Sequence, residues 1–258
     1  MNTRGRTLVQ LAESLWLPGL IVTALWFLSA HSTSFAFPSL QSICTALTDE
    51  WLFAKFTSDF VPSVFIVVQA LAIAILVGVG LGVPLGCSPT AEAAFRPLLD
   101  FMRGLPKVLL ISPALVIIGV GDGLALSVLS FGAVWPILLA AVAGVQGIPT
   151  TLHDLRRSYR LTHSTWLLRV AFPAAMPQIF AGIRTAVALA VVLLVPAQAV
   201  GATSGLGFQL RQAADLFQFP EVWAAVIMFA ALGVALNLLL AFVERRVLYW
   251  FDAQGGPV

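Results

Sequence analysis

Residues 64–86 read VFIVVQALAIAILVGVGLGVPLG, a run without a charged side chain. A helix needs roughly 20 apolar residues to cross a bilayer core about 30 Å thick, and this run is long enough. The strands of a membrane barrel would instead alternate apolar and polar residues over about ten positions, a pattern that the sequence does not show. The run therefore predicts a membrane-spanning helix.

The composition of the whole chain agrees with this prediction. Its 258 residues are 59% hydrophobic and 10% charged, whereas a soluble domain has about 25% charged residues. So few charged side chains cannot cover a soluble surface, which excludes disorder and an ordinary soluble enzyme. The net charge of +2 is too balanced to indicate nucleic-acid binding. The two cysteines and three scattered histidines show no metal-site spacing.

Five further apolar runs meet the same criterion, so the expected fold is an all-α integral membrane protein with about six transmembrane helices. The third and fourth helices are separated by little more than Gly121-Asp122-Gly123, which predicts a tight helical hairpin. The six predicted spans are approximately 15–30, 64–86, 105–121, 125–145, 179–200 and 223–243.

The basic residues orient these helices, because cytoplasmic loops carry an excess of Lys and Arg. With the N-terminus inside, only Lys55 and Arg211 fall outside. Both termini are therefore predicted to be cytoplasmic. The basic residues on the cytoplasmic side are Arg4, Arg6, Arg96, Arg103, Lys107, Arg156, Arg157, Arg160, Arg169, Arg184, Arg245 and Arg246.

The first span has a second interpretation. Arg4 and Arg6, the apolar run after them, and Ser29-Ala30 also fit a cleavable signal peptide. We favour an uncleaved anchor, and either alternative leaves the orientation of the other spans unchanged.

The predicted spans contain few groups that could do chemistry. Carboxylates are absent from mid-membrane positions, and no hydrolase elbow, zinc-protease helix or Walker A sequence occurs. We expect no catalytic residue, no metal and no cofactor, so uphill transport would take its energy from a partner. Candidate residues of a translocation path are two polar side chains and two prolines that could kink their helices: Gln198, Asn237, Pro113 and Pro196.

The loop at 146–178 is the most informative segment. Thr151 and Asp154 predict the start of a short helix, and a second short helix is expected to end near Pro173. The first helix is amphipathic, which suits either lipid phosphates or the groove of another protein. Its two faces are Leu152, Leu155 and Tyr159 on one side and Arg156, Arg157 and Arg160 on the other.

This loop resembles the cytoplasmic loop of inner-membrane permease subunits of binding-protein-dependent ABC transporters. That family has E-A-A-x-x-x-G, nine residues, then I-x-L-P. Here Asp154-Leu155-Arg156 stands at E-A-A, and Val170-Ala171-Phe172-Pro173 stands at I-x-L-P with matching spacing. Arg160 occupies the glycine position. An arginine in the left-handed region costs about 1–2 kcal/mol, so we expect Arg160 to stay right-handed and the helix to continue through Leu161 or Thr162.

Further stretches are similar to the nitrate/taurine/sulfonate class, over about 64–246. Residues 174–184, AAMPQIFAGIR, follow the loop as that class has them. Gln198 stands where the class often has an acid. Shorter matches are Gly86-Cys87-Ser88-Pro89, Arg103-Gly104-Leu105-Pro106, Gly119-Val120-Gly121 and Ser204-Gly205-Leu206-Gly207.

The resemblance implies a type I ABC importer-like permease bundle in a bacterial-type inner membrane. It implies a second permease copy (a homodimer or a related subunit), two cytoplasmic ATPase subunits that bind the ATP, and an extracytoplasmic substrate-binding protein. The cargo would be a small solute such as an organic or inorganic anion. The implied ATPase-coupling residues are Asp154, Leu155, Arg156, Arg157, Tyr159, Arg160, Leu161 and Pro173.

The predicted organisation is an anchor helix and outer loop at 1–60, a permease core at 61–250 with the coupling loop 146–178, and a cytoplasmic tail at 251–258. The departures at Arg160 and Gln198 leave a second alternative, a membrane scaffold or degenerate permease that no longer transports. A secondary transporter is disfavoured because the spans lack carboxylates.

Overall fold

The structure is a computed structural model that describes residues 38–249 together with Trp16 and Leu20. The rest of the predicted first span and the tail at 251–258 lie outside the described residues. Every regular element within 38–249 is helical. The α-helices are α1 (Leu40–Ala46), α2 (Val61–Gly86), α3 (Pro89–Gly104), α4 (Ile111–Ile118), α5 (Asp122–Gln146), α6 (Thr150–Ser158), α7 (His163–Trp166), α8 (Phe172–Gly201), α9 (Leu206–Asp215) and α10 (Phe219–Val247).

Within residues 38–249, four continuous helical stretches are long and apolar enough to cross a membrane, which confirms the predicted all-α membrane fold. Two of these stretches include a short π-helical turn. Phe56–Phe60 precedes α2, and Leu167–Ala171 connects α7 to α8. The four stretches contain the predicted second, fourth, fifth and sixth spans. They are Phe56–Gly86, Asp122–Gln146, His163–Gly201 and Phe219–Val247.

The third span differs from its prediction. Instead of one straight helix over 105–121, the chain forms α3, a 3₁₀ turn at Lys107–Leu110, and the short α4, with an 89° bend after α3. The bend falls at Leu105 and Pro106, both of which have extended backbone. A residue before proline is disfavoured in the helical region, so the helix ends there. If this bent pair is counted as one broken span, the described residues contain five possible spans.

The predicted hairpin between the third and fourth spans is present. Gly119 and Gly121 have φ of +87° and +137° and separate α4 from α5. These values lie where side chains are rarely tolerated, so glycine is required for the turn. The Gly121 N–H donates to the Gly201 carbonyl at 2.6 Å, which fixes the hairpin against the end of α8.

Close backbone contacts join α2, α5 and α8 into the core. Gly78, Gly82 and Gly86 recur every fourth residue along α2 and face α5. A Cβ on Gly82 would lie 2.8 Å from the Leu138 carbonyl oxygen. Gly182 of α8 meets the other side of α5 in the same way. Lipid gives little hydrophobic drive for association, so membrane helices pack through such small residues.

Ion pairs tie α10 to its neighbours at both ends. On the side predicted to face outward, the outer side, Lys55 Nζ lies 2.5 Å from Glu50 Oε2 and 3.5 Å from Glu221 Oε2. Burial alone would lower the pKa of Lys55, but the hydrogen bond and charge of Glu50 raise it above its usual value. On the opposite, inner side, Arg184 of α8 pairs with Glu244 of α10 at 2.7 Å.

The glycine contacts predict a contrast between two substitutions on one helix. Gly82→Ala should lower the free energy of unfolding by about 1–3 kcal/mol, because the new methyl group overpacks the α2–α5 contact. Gly80→Ala is the matched control, since nothing lies within 4 Å of the Cβ position at Gly80. Thermal unfolding of the purified variants in one detergent measures the difference. Equal losses for both variants would contradict the proposed close contact.

Candidate functional site

Besides the ion pairs of α10, the described residues contain two groups with polar or interaction chemistry. The first is the coupling surface on the inner side, formed by exposed residues of α6 and the turn after it: Asp154, Leu155, Arg157, Tyr159 and Arg160. The second is the outer cluster, a set of buried polar groups where α2, α8 and α9 meet: Asp59, Ser63, Gln198 and the amides of Gly205, Leu206 and Gly207.

Helix α6 presents part of its predicted apolar face to solvent. Leu152 packs against the core, as does Leu161 beyond the helix. Leu155 and Tyr159, by contrast, are 47% and 73% exposed. The helix begins at Thr150 after Pro149, and no side chain caps its start, so the predicted capping role of Thr151 is wrong. The exposed pair gives this short helix a free apolar surface.

Arg156 lies closer to the protein than predicted. Its guanidinium stands 5.3 Å from the centre of the buried Trp166 ring, in cation–π contact. It also acts on Cys87 at the end of α2: burial raises the pKa of the Cys87 thiol, and the Arg156 charge opposes this shift. Arg156 therefore joins α6 to α7 instead of sharing an outward face with the other arginines.

The prediction for Arg160 is wrong. The helix ends at Ser158, and Arg160 has φ of +48°. Two hydrogen bonds close this turn, from Arg160 N–H to the Arg157 carbonyl at 3.3 Å and from Leu161 N–H to the Arg156 carbonyl at 3.1 Å. This pattern is a Schellman motif, in which the left-handed position is usually glycine. The two bonds satisfy carbonyls at the helix end and offset the cost of a left-handed arginine.

The polar members of the coupling surface are unpaired. Asp154, Arg157 and Arg160 are exposed, and none makes an ion pair or side-chain hydrogen bond with a described residue. By contrast, Arg96 and Arg103 on α3 pair with acids of their own helix. The coupling surface thus combines apolar side chains with charges that are free to meet a partner.

Pro173 does not end a helix as predicted. It lies in the first turn of α8, and the helix runs without a break from His163 to Gly201. Proline lacks an N–H and crowds the carbonyl four residues earlier. Leu167–Ala171 is π-helical, and the Phe172 N–H donates to the Leu167 carbonyl. The wider π turn accommodates the proline.

The four candidate path residues lie on three different helices. Pro196 and Gln198 lie near the outer end of α8, Pro113 is exposed on α4, and Asn237 is exposed on α10. The Asn237 amide donates to the Gly233 carbonyl of its own helix at 2.9 Å. Gln198 is 1% exposed and belongs to the outer cluster.

Ser63 is the centre of the outer cluster. Its hydroxyl donates to the Asp59 carbonyl at 2.7 Å and accepts from Leu206 N–H at 2.9 Å and from Gln198 Nε2 at 3.0 Å. Gln198 Oε1 in turn accepts from Gly207 N–H at 3.0 Å. Side chains of α2 and α8 thus satisfy the first-turn amides of α9, which have no partner inside their own helix.

Asp59 supplies the negative charge of this cluster. The carboxylate is 3% exposed, and its Oδ1 accepts from Gly205 N–H at 2.7 Å and from Gln209 Nε2 at 3.1 Å. Ser58 donates to Oδ2 at 2.6 Å. The N-terminus of a helix favours a negative charge, so Asp59 caps α9 although it lies far away in sequence.

Sequence reasoning missed most of this cluster. It singled out Gln198 and the stretch Ser204-Gly205-Leu206-Gly207 separately, and it placed Asp59 in an outer loop. Gly205 has φ of +105°, and a Cβ on Gly207 would lie 2.6 Å from the Val195 carbonyl oxygen. The available signals were the two neighbouring glycines Gly205 and Gly207 and the polar residue Gln198 within an apolar span. Within residues 38–249, no His, Cys, Asp or Glu cluster could hold a metal ion.

The fold and these two groups of residues define a polytopic helical membrane protein with an exposed interaction helix on its inner side. The chain belongs to the family described as "Binding-protein-dependent transport system inner membrane component", whose model matches residues 70–249. This confirms the predicted family and its inner-membrane location. Asp59 and Ser63 lie before the matched region.

Curated relatives are permeases for several small solutes. The chain is 31% identical over 183 residues to the bicarbonate transport system permease protein CmpB of Synechococcus elongatus, covering 70% of this chain and 66% of that one. It is 29% identical to the nitrate import permease protein NrtB of Leptolyngbya laminosa, covering 67% and 62%. The aligned region thus spans about two thirds of the length of these relatives.

Solved structures support the fold. The MetNI methionine ABC transporter, described in inward-facing conformations, matches with a TM-score of 0.58 at 19% identity, covering 71% of this chain and 94% of that one. An amino acid ABC transporter matches with a TM-score of 0.56 at 17% identity, covering 71% and 90%. The likeness confirms the predicted type I ABC importer-like bundle.

The outer cluster predicts that Asp59 holds α9 in place. Asp59→Ala leaves the Gly205 N–H and the Gln209 amide without their acceptor, and it should lower the free energy of unfolding by about 1–3 kcal/mol. Hydrogen exchange at Gly205 should accelerate at the same time. Asp49→Ala, which removes an exposed carboxylate on the outer side, is the control and should change neither quantity. Unchanged exchange at Gly205 in Asp59→Ala would contradict the capping role.

Proposed function

We propose that this chain is the membrane-spanning permease subunit of an ATP-driven ABC importer, and that it passes a small anion from a binding protein across the inner membrane. The observation that carries the proposal is the exposure of Leu155 and Tyr159 on the coupling surface. The family match and the named solutes of the relatives support the transport role and the class of cargo.

The energy for transport comes from a partner. Among the described residues, the buried carboxylates are Asp59 and Glu92. Asp59 is fully hydrogen-bonded within the outer cluster, and Glu92 is paired with Arg96 at 2.8 Å. Asp59 lies at the outer end of the bundle and Glu92 at the inner end, so neither stands at mid-membrane, where a proton or ion relay would need a carboxylate. This favours ATP hydrolysis in a separate subunit over a secondary transporter.

A cytoplasmic ATPase dimer docks on the coupling surface of two permease copies. Burying Leu155 and Tyr159 in an apolar cleft of the ATPase contributes on the order of 2–3 kcal/mol each. The free arginines then meet acidic groups at the rim of the cleft. ATP is bound by the ATPase, so the permease needs no cofactor of its own.

The coupling surface has a direct route to the outer side. The Arg156–Trp166 contact joins α6 to the continuous helix His163–Gly201. The far end of that helix carries Gln198, which belongs to the outer cluster. Movement of α6 when ATP closes the ATPase dimer therefore shifts the outer ends of α8 and α9. The bundle then opens outward, and the binding protein releases its anion into the cavity.

Reconstitution tests the proposal against its alternatives. The chain, its ATPase and its binding protein are placed in proteoliposomes, and ATP hydrolysis and uptake of bicarbonate, nitrate and taurine are measured. The proposal expects hydrolysis stimulated by the loaded binding protein, with uptake of at least one anion. ATPase binding without uptake would support a degenerate permease. If uncouplers abolish uptake but ATP depletion does not, the chain is a secondary transporter.

Tyr159→Ala should weaken ATPase binding by about tenfold or more, because it removes a large side chain from the docking contact. Phe53→Ala is the control, since Phe53 is an aromatic residue 83% exposed on the outer side. Affinity of the purified ATPase for nanodiscs that carry each variant is the measurement. If Tyr159→Ala binds like the control, the docking role of the coupling surface is wrong.

A further inference from the structure

Arg160 combines backbone strain with a free charge. It is the left-handed residue of the Schellman turn that ends α6, with φ of +48°, a position that glycine fills most easily. The side chain is exposed and has no ion-pair or hydrogen-bond partner among the described residues. The two backbone hydrogen bonds of the turn offset this strain, and the exposed Phe217 has the same left-handed conformation at the end of α9. The turn alone therefore assigns no function, and the free charge is what distinguishes Arg160.

The position of Arg160 associates it with the coupling surface. It directly follows the exposed Tyr159, at the C-terminal end of α6. Arg157, one turn earlier, is also exposed and unpaired, whereas Arg156 is held over Trp166. Arg157 and Arg160 thus add two free positive charges to the end of an apolar surface. An acidic surface is the complementary partner.

The other residues of α6 favour a protein over a membrane as that partner. A helix lying on a bilayer would turn its apolar side to the lipid. Here Leu152 and, beyond the helix, Leu161 pack against the protein core, which leaves Leu155 and Tyr159 as the exposed part of the apolar face. Asp154 is exposed beside Leu155, and an anionic membrane would repel its carboxylate.

We propose that Arg160 forms a charge-assisted hydrogen-bonded pair with a carboxylate at the rim of the ATPase docking cleft, and that this pair determines which ATPase the chain accepts. The inference rests on the proposed function. A guanidinium and a carboxylate pair in a fixed, often bidentate geometry. An ATPase without an acidic residue at that place would bind weakly, because the arginine would be left unpaired at the contact.

Three variants separate charge from strain. Arg160→Gly removes both, Arg160→Gln removes the charge and keeps a side chain at the left-handed position, and Arg246→Gln removes an exposed inner-side charge elsewhere. The probe is the ATPase subunit isolated with the wild-type chain, and its affinity for nanodiscs carrying each variant is measured from 50 to 300 mM salt. Thermal unfolding of the free chain is measured in parallel.

We expect both Arg160 variants to weaken ATPase binding about tenfold at low salt and to reduce its salt dependence. Arg246→Gln should bind like wild type. Arg160→Gly should also raise the unfolding temperature of the free chain, so weaker binding cannot come from damage to the turn. An Arg160→Glu variant should regain affinity with an ATPase in which the contacting acid is replaced by lysine.

Wild-type affinity and salt dependence in Arg160→Gly would overturn the inference. The inference would also be overturned if the Arg160 variants lost binding only to anionic lipid vesicles and kept their affinity for the ATPase. That result would assign Arg160 to lipid phosphate. The proposed function fails separately: if the wild-type chain binds no ABC ATPase, or if Tyr159→Ala binds normally, the docking surface itself is wrong. If Tyr159→Ala weakens binding and Arg160→Gly does not, only the role of Arg160 is wrong.

Discussion

The structure depends on the close approach of three helices, α2, α5 and α8, whose backbones meet through glycine. In lipid, the association of helices relies on van der Waals contact, so the stability of the bundle depends on how closely the helices pack. Gly82 and Gly182 leave no room for a Cβ on either side of α5. The coupling surface and the outer cluster lie at the two ends of the core that these contacts form.

The helix His163–Gly201 connects these two regions. Its inner end carries Trp166, which holds Arg156 of α6, and its outer end carries Gln198, which binds Ser63 and α9. A helix that broke at Pro173 would separate the inner contact from the outer one. The π turn before Pro173 keeps the helix continuous. In the proposed mechanism, this one helix and its two end contacts carry a displacement of α6 to the outer side.

The sequence indicated the parts of the structure that depend on local pattern. Long apolar runs predicted the spans, and Gly121 in a short connection predicted the hairpin, because both signals act over neighbouring residues. Arg160 was mispredicted because the cost of a left-handed arginine was not weighed against the two backbone hydrogen bonds of the Schellman turn. The outer cluster was missed because Asp59 caps a helix that begins at Leu206. Contacts of such sequence separation exist only after the helices pack.

Site-specific photo-crosslinking can show whether the coupling surface receives the ATPase. A photoreactive amino acid is placed at Tyr159 in the chain as it sits in its native membrane, and the covalent adducts are identified by mass spectrometry. We expect an adduct with an ABC ATPase subunit from position 159 and none from position 53 on the outer side. Adducts of position 159 with lipid alone, or with an extracytoplasmic protein, would contradict this expectation.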